Sequence, residues 1–145
     1  MKIEYLPPVR VAYFRKVGVY GLENQVLMKN FKRWVKAEGL WENAVILGIA
    51  LDDPTRITAK NCRYDVYLVT NKTNFKTCVK QRVIQGQKVV VFKIKHTEEV
   101  IGEFYGQLAQ IISKNRLKVL KQPLIERYKV SLVQSGYCEI LIPIK

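Results

Sequence analysis

Cysteine and histidine are scarce in this sequence of 145 residues. The three cysteines, Cys62, Cys78 and Cys138, lie far apart and form no CxxC pair, and His96 is the only histidine. A structural zinc site needs about four such ligands at close spacing, so the sequence predicts no bound metal. Free thiols also fit a reducing compartment, and we therefore expect the protein to be cytoplasmic.

Long apolar runs and phosphate-binding motifs are missing as well. No apolar stretch approaches the length of about 20 residues that a membrane-spanning helix requires. The N-terminal segment MKIEYLPPVR contains no apolar signal-peptide region. Neither a P-loop nor a GxGxxG fingerprint occurs, which argues against a nucleotide-binding enzyme. We therefore expect no membrane association and no cofactor.

Acidic residues are few. The chain has 12 Asp and Glu against 25 Lys and Arg, which gives a formal net charge of +13. Such an excess favours acidic partners, including nucleic acid, but does not select among them. The basic stretches KNFKRWVK and KNRLKVLK come without a DNA-reading motif, so we expect no sequence-specific DNA binding.

The apolar residues that are present suffice for one core. They make up 48% of the chain, and the length predicts a single domain over residues 1–145. In a first unit, about residues 9–71, apolar and alternating segments predict strands at 9–16, 45–51 and 62–70. Apolar residues at three- and four-residue spacing predict a helix over 22–38.

A second unit, about residues 86–145, repeats this order after a weak strand at 79–84. It contains a predicted strand at 88–95, a helix at 97–113 with Thr97 as its N-cap, and two C-terminal strands. The core VAYF of the first unit recurs as VVVF, and RYDVYLV resembles YCEILIP, with Asp65 matching Glu139. This similarity predicts an α+β protein built from duplicated strand-helix-strand-strand units.

The last two predicted strands place a carboxylate on an apolar face. A turn at residues 134–136, with Gly136 in the left-handed conformation, would join them into a hairpin. Even-numbered residues would then share one face, so Glu126 lies beside Tyr128 among apolar side chains. A carboxylate in such a place needs an ion pair, a hydrogen bond or a proton. Glu126 is therefore a functional candidate, with a structural ion pair as the alternative.

Six features in a fixed order carry a family resemblance: VGVYG (17–21), Trp34, ILGIALDDP (46–54), CRYDVYLV (62–69), PLIERY (123–128) and CEILIPIK (138–145). Together they resemble the GyrI-like (gyrase-inhibitor-like) family. That family shares its fold with the effector-binding domains of AraC-type and multidrug-sensing transcription regulators. The resemblance implies an antiparallel sheet, two main helices and a ligand cleft between the two units.

The resemblance also implies a role for Glu126, the glutamate of a Pro-x-x-Glu-x-Tyr motif. In multidrug-sensing relatives this position supplies a buried carboxylate, ringed by aromatic residues, that recognises lipophilic cations. Some stand-alone relatives instead resemble hydrolases of strained, electrophilic small molecules. No helix-turn-helix segment precedes residue 9, so we expect a stand-alone domain.

The candidate ligand-binding residues are Glu126 with several aromatic residues and a second glutamate: Tyr20, Trp41, Tyr64, Tyr105, Tyr128, Tyr137 and Glu139. Aromatic faces attract cations, although any single tyrosine also fits core packing. Glu139 could divide acid and base roles with Glu126, or could simply be solvated. We expect Cys62 and Cys138 to be small core residues, and His96 to be solvated or to cap a helix.

Three functions follow from these patterns. The first is binding of lipophilic, cationic or electrophilic small molecules in a cleft anchored by Glu126. The second is hydrolysis of a reactive ligand, with Glu126 as the catalytic acid or base. The third is an interaction, favoured by the positive charge, with an acidic macromolecular partner such as DNA or DNA gyrase.

Overall fold

Eight strands form one antiparallel sheet in which the two halves of the chain meet at the centre. The computed structural model describes all residues, Met1–Lys145. The strand order is β1-β6-β8-β7-β3-β4-β2-β5. The strands are β1 (Lys2–Leu6), β2 (Val9–Val17), β3 (Val45–Ala50), β4 (Arg63–Val69), β5 (Lys80–Ile84), β6 (Gln87–Lys95), β7 (Ile125–Lys129) and β8 (Tyr137–Pro143).

The main helices cover one face of this sheet. They are α1 (Leu22–Ala37), α2 (Glu98–Gly106) and α3 (Leu108–Lys114), and a short helix α4 (Val130–Gln134) links β7 to β8. Phe31 and Val35 of α1 pack on β3 and β4, and Phe104 of α2 packs on β6 and β8. None of the helices combines the length and the hydropathy required to cross a lipid bilayer.

No helix covers the opposite face of the sheet, which nevertheless forms a buried apolar core. Its apolar cluster is formed by residues of six strands, including Leu47, Tyr67, Ile125 and Leu141. The sheet can exclude water from this face because it is strongly curled, as a half-barrel. The helix-covered face therefore has room for a cavity, while the other face is a closed core.

The α+β fold with duplicated strand-helix-strand-strand units is confirmed. The predicted first helix and the predicted strands lie within one or two residues of α1, β2, β3, β4, β5 and β6. For α1, the prediction is confirmed because the spacing of its apolar residues places Phe31 and Val35 against the sheet, where neither has any exposed surface.

The sequence patterns missed β1. Lys2–Leu6 pairs antiparallel with β6 and forms one edge of the sheet. Three of its five residues are exposed, and two prolines follow it, so it lacks the apolar alternation of the inner strands. Its Glu4 nevertheless reaches Arg127 in the closed core, with Oε2 at 2.7 Å from Nη1.

The predicted helix over 97–113 is wrong in one respect, because the chain breaks it at Gln107. Gly102 and Gly106 weaken the helix before this point. The Gln107 amide then donates to the carbonyls of Glu103 and Phe104, and its φ of -104° leaves the helical range. The result is two short helices, α2 and α3, in place of one.

The predicted C-terminal hairpin also needs a correction. Its first strand ends at Lys129, and residues 130–134 form α4 rather than continuing the strand. The Val130 amide donates to Ala44 O at 3.0 Å and its side chain enters the core, so tertiary contacts override the β-propensity of this segment. Gly136 is left-handed as predicted, with φ 90°.

Candidate functional site

A large cavity opens between α1 and α2, above the central strands. Its volume is about 1250 Å³. Helices α1 and α2 form its two walls, and β3, β4 and β7 supply its floor. The cavity thus lies at the junction of the two duplicated units, where β3 pairs with β7.

Glu126 occupies the floor of this cavity and accepts hydrogen bonds from two tyrosines. The Tyr105 hydroxyl, from α2, donates to Oε1 at 2.8 Å. The Tyr128 hydroxyl, two residues further along β7, donates to Oε2. Both carboxylate oxygens are therefore stabilised as acceptors without a positively charged partner.

Gly48 makes the floor beside Glu126 possible. The two residues are direct partners in the β3–β7 pair. A Cβ on Gly48 would lie only 2.8 Å from the Tyr64 hydroxyl and 3.4 Å from the Met28 methyl group. Glycine therefore lets Tyr64 lie across β3 and face the cavity together with Tyr128.

Tyr64 and Tyr128 are buried aromatic residues of this floor. Their side chains are 9% and 8% exposed. Burial, and then the charge of Glu126, raise the pKa of Tyr128 far above its usual range, and the same two causes raise the pKa of Tyr64. Both hydroxyls therefore remain protonated donors at any physiological pH.

The α1 wall of the cavity is basic. Four cationic side chains of α1 line it: Lys29, Lys32, Arg33 and Lys36. Lys32 is half-buried, with Nζ 5.7 Å from the centre of the Tyr128 ring. Burial and the charge of Lys36 lower the pKa of Lys32.

His96 also lines the cavity, which the sequence patterns did not predict. Its ring lies 5.3 Å from that of Tyr128 in an edge-on arrangement, and its Nδ1 atom is buried without a hydrogen-bond partner. Burial and the charge of Lys32 lower the pKa of His96, which favours the neutral ring. His96 lies between β6 and Thr97, the N-cap of α2, and as the only histidine of the chain it belongs to no periodic pattern.

The cavity brings together five of the predicted site residues: Tyr20, Tyr64, Tyr105, Glu126 and Tyr128. Tyr20 is fixed at the edge, since its hydroxyl donates to Arg63 O at 2.7 Å and accepts from the Asp52 amide at 3.1 Å. The side chains of these residues come from four separate elements or loops.

Three other predicted site residues lie away from the cavity. Trp41 lies next to Lys36, whose Nζ is 4.4 Å from its ring, and packs against the core under α1. Tyr137 lies against Lys93 on β6, 4.5 Å from Nζ to the ring. Neither residue lines the cavity that contains Glu126.

The structure places Glu139 on the opposite face of the sheet from Glu126. Glu139 Oε1 accepts from Arg127 Nε at 2.8 Å, and Arg127 also binds Glu4. Residues 126 and 139 differ in parity on paired strands, which sends their side chains to opposite faces. The two carboxylates therefore cannot act on one ligand.

The fold and this cavity define a small-molecule-binding domain, built from two similar units around one ligand-sized space. The model of the GyrI-like small molecule binding domain matches residues 1–145. The chain belongs to the GyrI-like family.

Comparison with individual proteins agrees with this assignment. The SPbeta prophage-derived protein YosT of Bacillus subtilis (strain 168) is 42% identical over 146 residues, which is 99% of this chain and 97% of YosT. The C-terminal domain of EcmrR has the same fold, with a TM-score of 0.72 at 17% identity over 99% of this chain and 96% of that domain. SAV2435 bound to tetraphenylphosphonium gives a TM-score of 0.69 at 15% identity, over 99% of this chain and 93% of SAV2435.

Proposed function

We propose that this chain binds a flat, lipophilic small molecule in the cavity between α1 and α2, with Glu126 as its polar anchor. The observation that carries the proposal is the Glu126 carboxylate on the cavity floor, held by the hydroxyls of Tyr105 and Tyr128. Ligand cavities characteristically combine apolar and aromatic walls with a few placed polar groups. The floor of this cavity has that composition.

The anchor suits a cation or a hydrogen-bond donor. Each carboxylate oxygen accepts one tyrosine hydroxyl and retains a further acceptor site for a ligand. The rings of Tyr64 and Tyr128 offer aromatic faces beside it. SAV2435, which has the same fold, is bound to the lipophilic cation tetraphenylphosphonium, and this supports a ligand of similar character here.

Fluorescence polarisation of a cationic aromatic dye tests the proposal. The ethyl ester of rhodamine B is titrated with the protein and then displaced with tetraphenylphosphonium. Glu126→Gln keeps the shape of the side chain and removes its charge, and the loss of a desolvated charge partner typically costs about 2–5 kcal/mol of binding. We therefore expect the affinity for the dye to fall by about 30-fold or more.

Glu42→Gln is the matched control, because Glu42 is exposed and lies outside the cavity. It removes the same net charge and should leave the dye affinity within about twofold of wild type. Equal affinities of wild type and Glu126→Gln would overturn the proposal. A role of Glu126 in hydrolysis stays a prediction of the family resemblance.

A further inference from the structure

The cationic row on α1 has no ion-pair partner within the protein. Lys29, Lys32, Arg33 and Lys36 line the cavity, and none of them takes part in a salt bridge. The chain forms its ion pairs elsewhere, with other basic residues such as Arg15, Arg63 and Arg127. The row therefore presents uncompensated positive charge to the cavity.

The two carboxylates that line the cavity do not balance this row. Glu126 is engaged by Tyr105 and Tyr128, and Glu98 accepts from Gln25 Nε2 at 3.4 Å. Four cations thus face two carboxylates around one space. A ligand that carried only positive charge would meet a net repulsive lining, despite the anchor at Glu126.

The spacing of the row works against the stability of α1 itself. Residues 29, 32, 33 and 36 are three or four positions apart, where like charges on a helix repel one another. Lys32 is also half-buried, and its neighbour Lys36 adds to the cost of its charge. An anionic group in the cavity would relieve both costs at once, because it would pair with the row.

We propose that the ligand is amphoteric: an aromatic molecule with a cationic or hydrogen-bond-donating group for Glu126 and a carboxylate, sulfonate or phosphate for the α1 row. This rests on the proposed function and names the ligand class of the same cavity. The geometry supports it, since Lys32 lies over the face of the Tyr128 ring while the hydroxyl of that ring binds Glu126. One aromatic ligand along this ring can therefore reach both charges.

Rhodamine B and its ethyl ester form a matched pair of probes. The two dyes share one cationic aromatic core, and only rhodamine B carries a free carboxylate. Polarisation titrations at physiological salt give the affinity of each dye for the same protein. We expect wild type to bind rhodamine B about tenfold more tightly than the ester, as a partly desolvated ion pair would give.

The double variant Lys29→Gln with Lys32→Gln tests the row directly. It should bind rhodamine B about tenfold less tightly than wild type, and the ester about twofold more tightly because repulsion falls. The control is Lys60→Gln with Lys114→Gln, which removes the same charge from exposed positions outside the cavity. Thermal melting checks that each variant is folded. If the variant Lys29→Gln with Lys32→Gln is unfolded, Lys36→Gln takes its place in the titrations.

The outcomes separate this inference from the proposed function. If wild type binds the two dyes with equal affinity, the proposal of an amphoteric ligand is overturned. It is also overturned if wild type prefers rhodamine B over the ester but both double variants, the α1 variant and the control, lose this preference to the same extent. If random-sequence duplex DNA displaces rhodamine B at physiological salt, the α1 row binds nucleic acid, and the proposal of an amphoteric ligand is overturned as well. Glu126→Gln should weaken both dyes. If it weakens neither, the anchor fails, whatever the dyes' relative affinities.

Discussion

Tyr105 on α2 and Glu126 on β7 are joined by a hydrogen bond of 2.8 Å that spans the cavity from its wall to its floor. It links a helix to the central sheet through a group that we propose binds the ligand. Tyr128 supplies the second hydroxyl from within β7. The geometry of the anchor therefore depends on both tyrosines, and several consequences can be measured.

Replacing Tyr128 by Phe should destabilise the protein by about 1–3 kcal/mol, because it leaves a carboxylate oxygen without its donor. Tyr105→Phe should cost less, since Tyr105 is 38% exposed and water can replace its hydroxyl. Urea unfolding gives both free energies. In a double-mutant cycle, Glu126→Gln should reduce the cost of Tyr128→Phe, and strictly additive costs would show that the two groups do not interact.

Gly48→Ala should impair binding through the cavity floor. Its new methyl group would meet the Tyr64 hydroxyl at 2.8 Å, so Tyr64 must move towards the cavity. We expect a loss of stability of about 1–3 kcal/mol, as overpacking typically gives, and weaker binding of the rhodamine B ester. Gly106→Ala is the control, because a Cβ there meets nothing within 4 Å. Unchanged dye binding in Gly48→Ala would count against this floor.

The location of Glu126 could be predicted from the sequence although the hairpin around it could not. A turn at 134–136 would have paired Glu126 with Ile144, whereas α4 shortens the strand and pairs it with Ile140. Both partners are even-numbered, so the side chain faces the same side of the sheet in either register. Strand parity is thus a more robust signal than strand length.

The basic wall and His96 were outside the reach of these patterns. Lys29 and Lys36 have the periodicity of a solvent-exposed helix face, and only the position of α2 opposite them turns that face into a cavity wall. Glu139 was misplaced for a related reason. Glu139 is close to Glu126 in sequence, which suggested that the two share one site. In the structure they lie on opposite faces of the sheet, and Glu139 forms an ion pair with Arg127.

The Glu4–Arg127–Glu139 cluster should make the protein sensitive to acid. The hydrogen bond that Glu4 accepts from Arg127 lowers the pKa of Glu4 below 4.5. Burial tends to raise the pKa of Glu139, but the hydrogen bond and the charge of Arg127 outweigh burial, so the pKa of Glu139 is also lowered from 4.5. The stabilisation is therefore complete above pH 4.5 and is lost as the pH falls through the lowered values.

Glu139→Gln should flatten this dependence and cost about 1–3 kcal/mol at pH 7, where Arg127 retains Glu4. Urea midpoints between about pH 3 and pH 7 measure both effects, with the exposed Glu42→Gln as the control. An identical acid profile in wild type and Glu139→Gln would refute the assignment.

The thiols should differ strongly in reactivity. Cys78 is exposed, while Cys138 is fully buried, and burial with the charge of Glu126 raises its pKa to about 11. Because the thiolate is the reactive form, iodoacetamide at about pH 8 should label Cys78 first and Cys138 only after unfolding. Intact-mass spectrometry of wild type and Cys78→Ser follows the labelling. Cys78→Ser retains the two buried thiols, Cys62 and Cys138, so its rapid modification in native buffer would contradict the burial of at least one of them, and peptide mapping identifies which.

A crystal structure of the complex with rhodamine B tests the central claim most directly. We expect the dye between α1 and α2, with its cationic core against Glu126 and the rings of Tyr64 and Tyr128, and its carboxylate within about 4 Å of Lys29 or Lys32. Dye bound outside this cavity, or inside it without a contact to Glu126, would contradict the account.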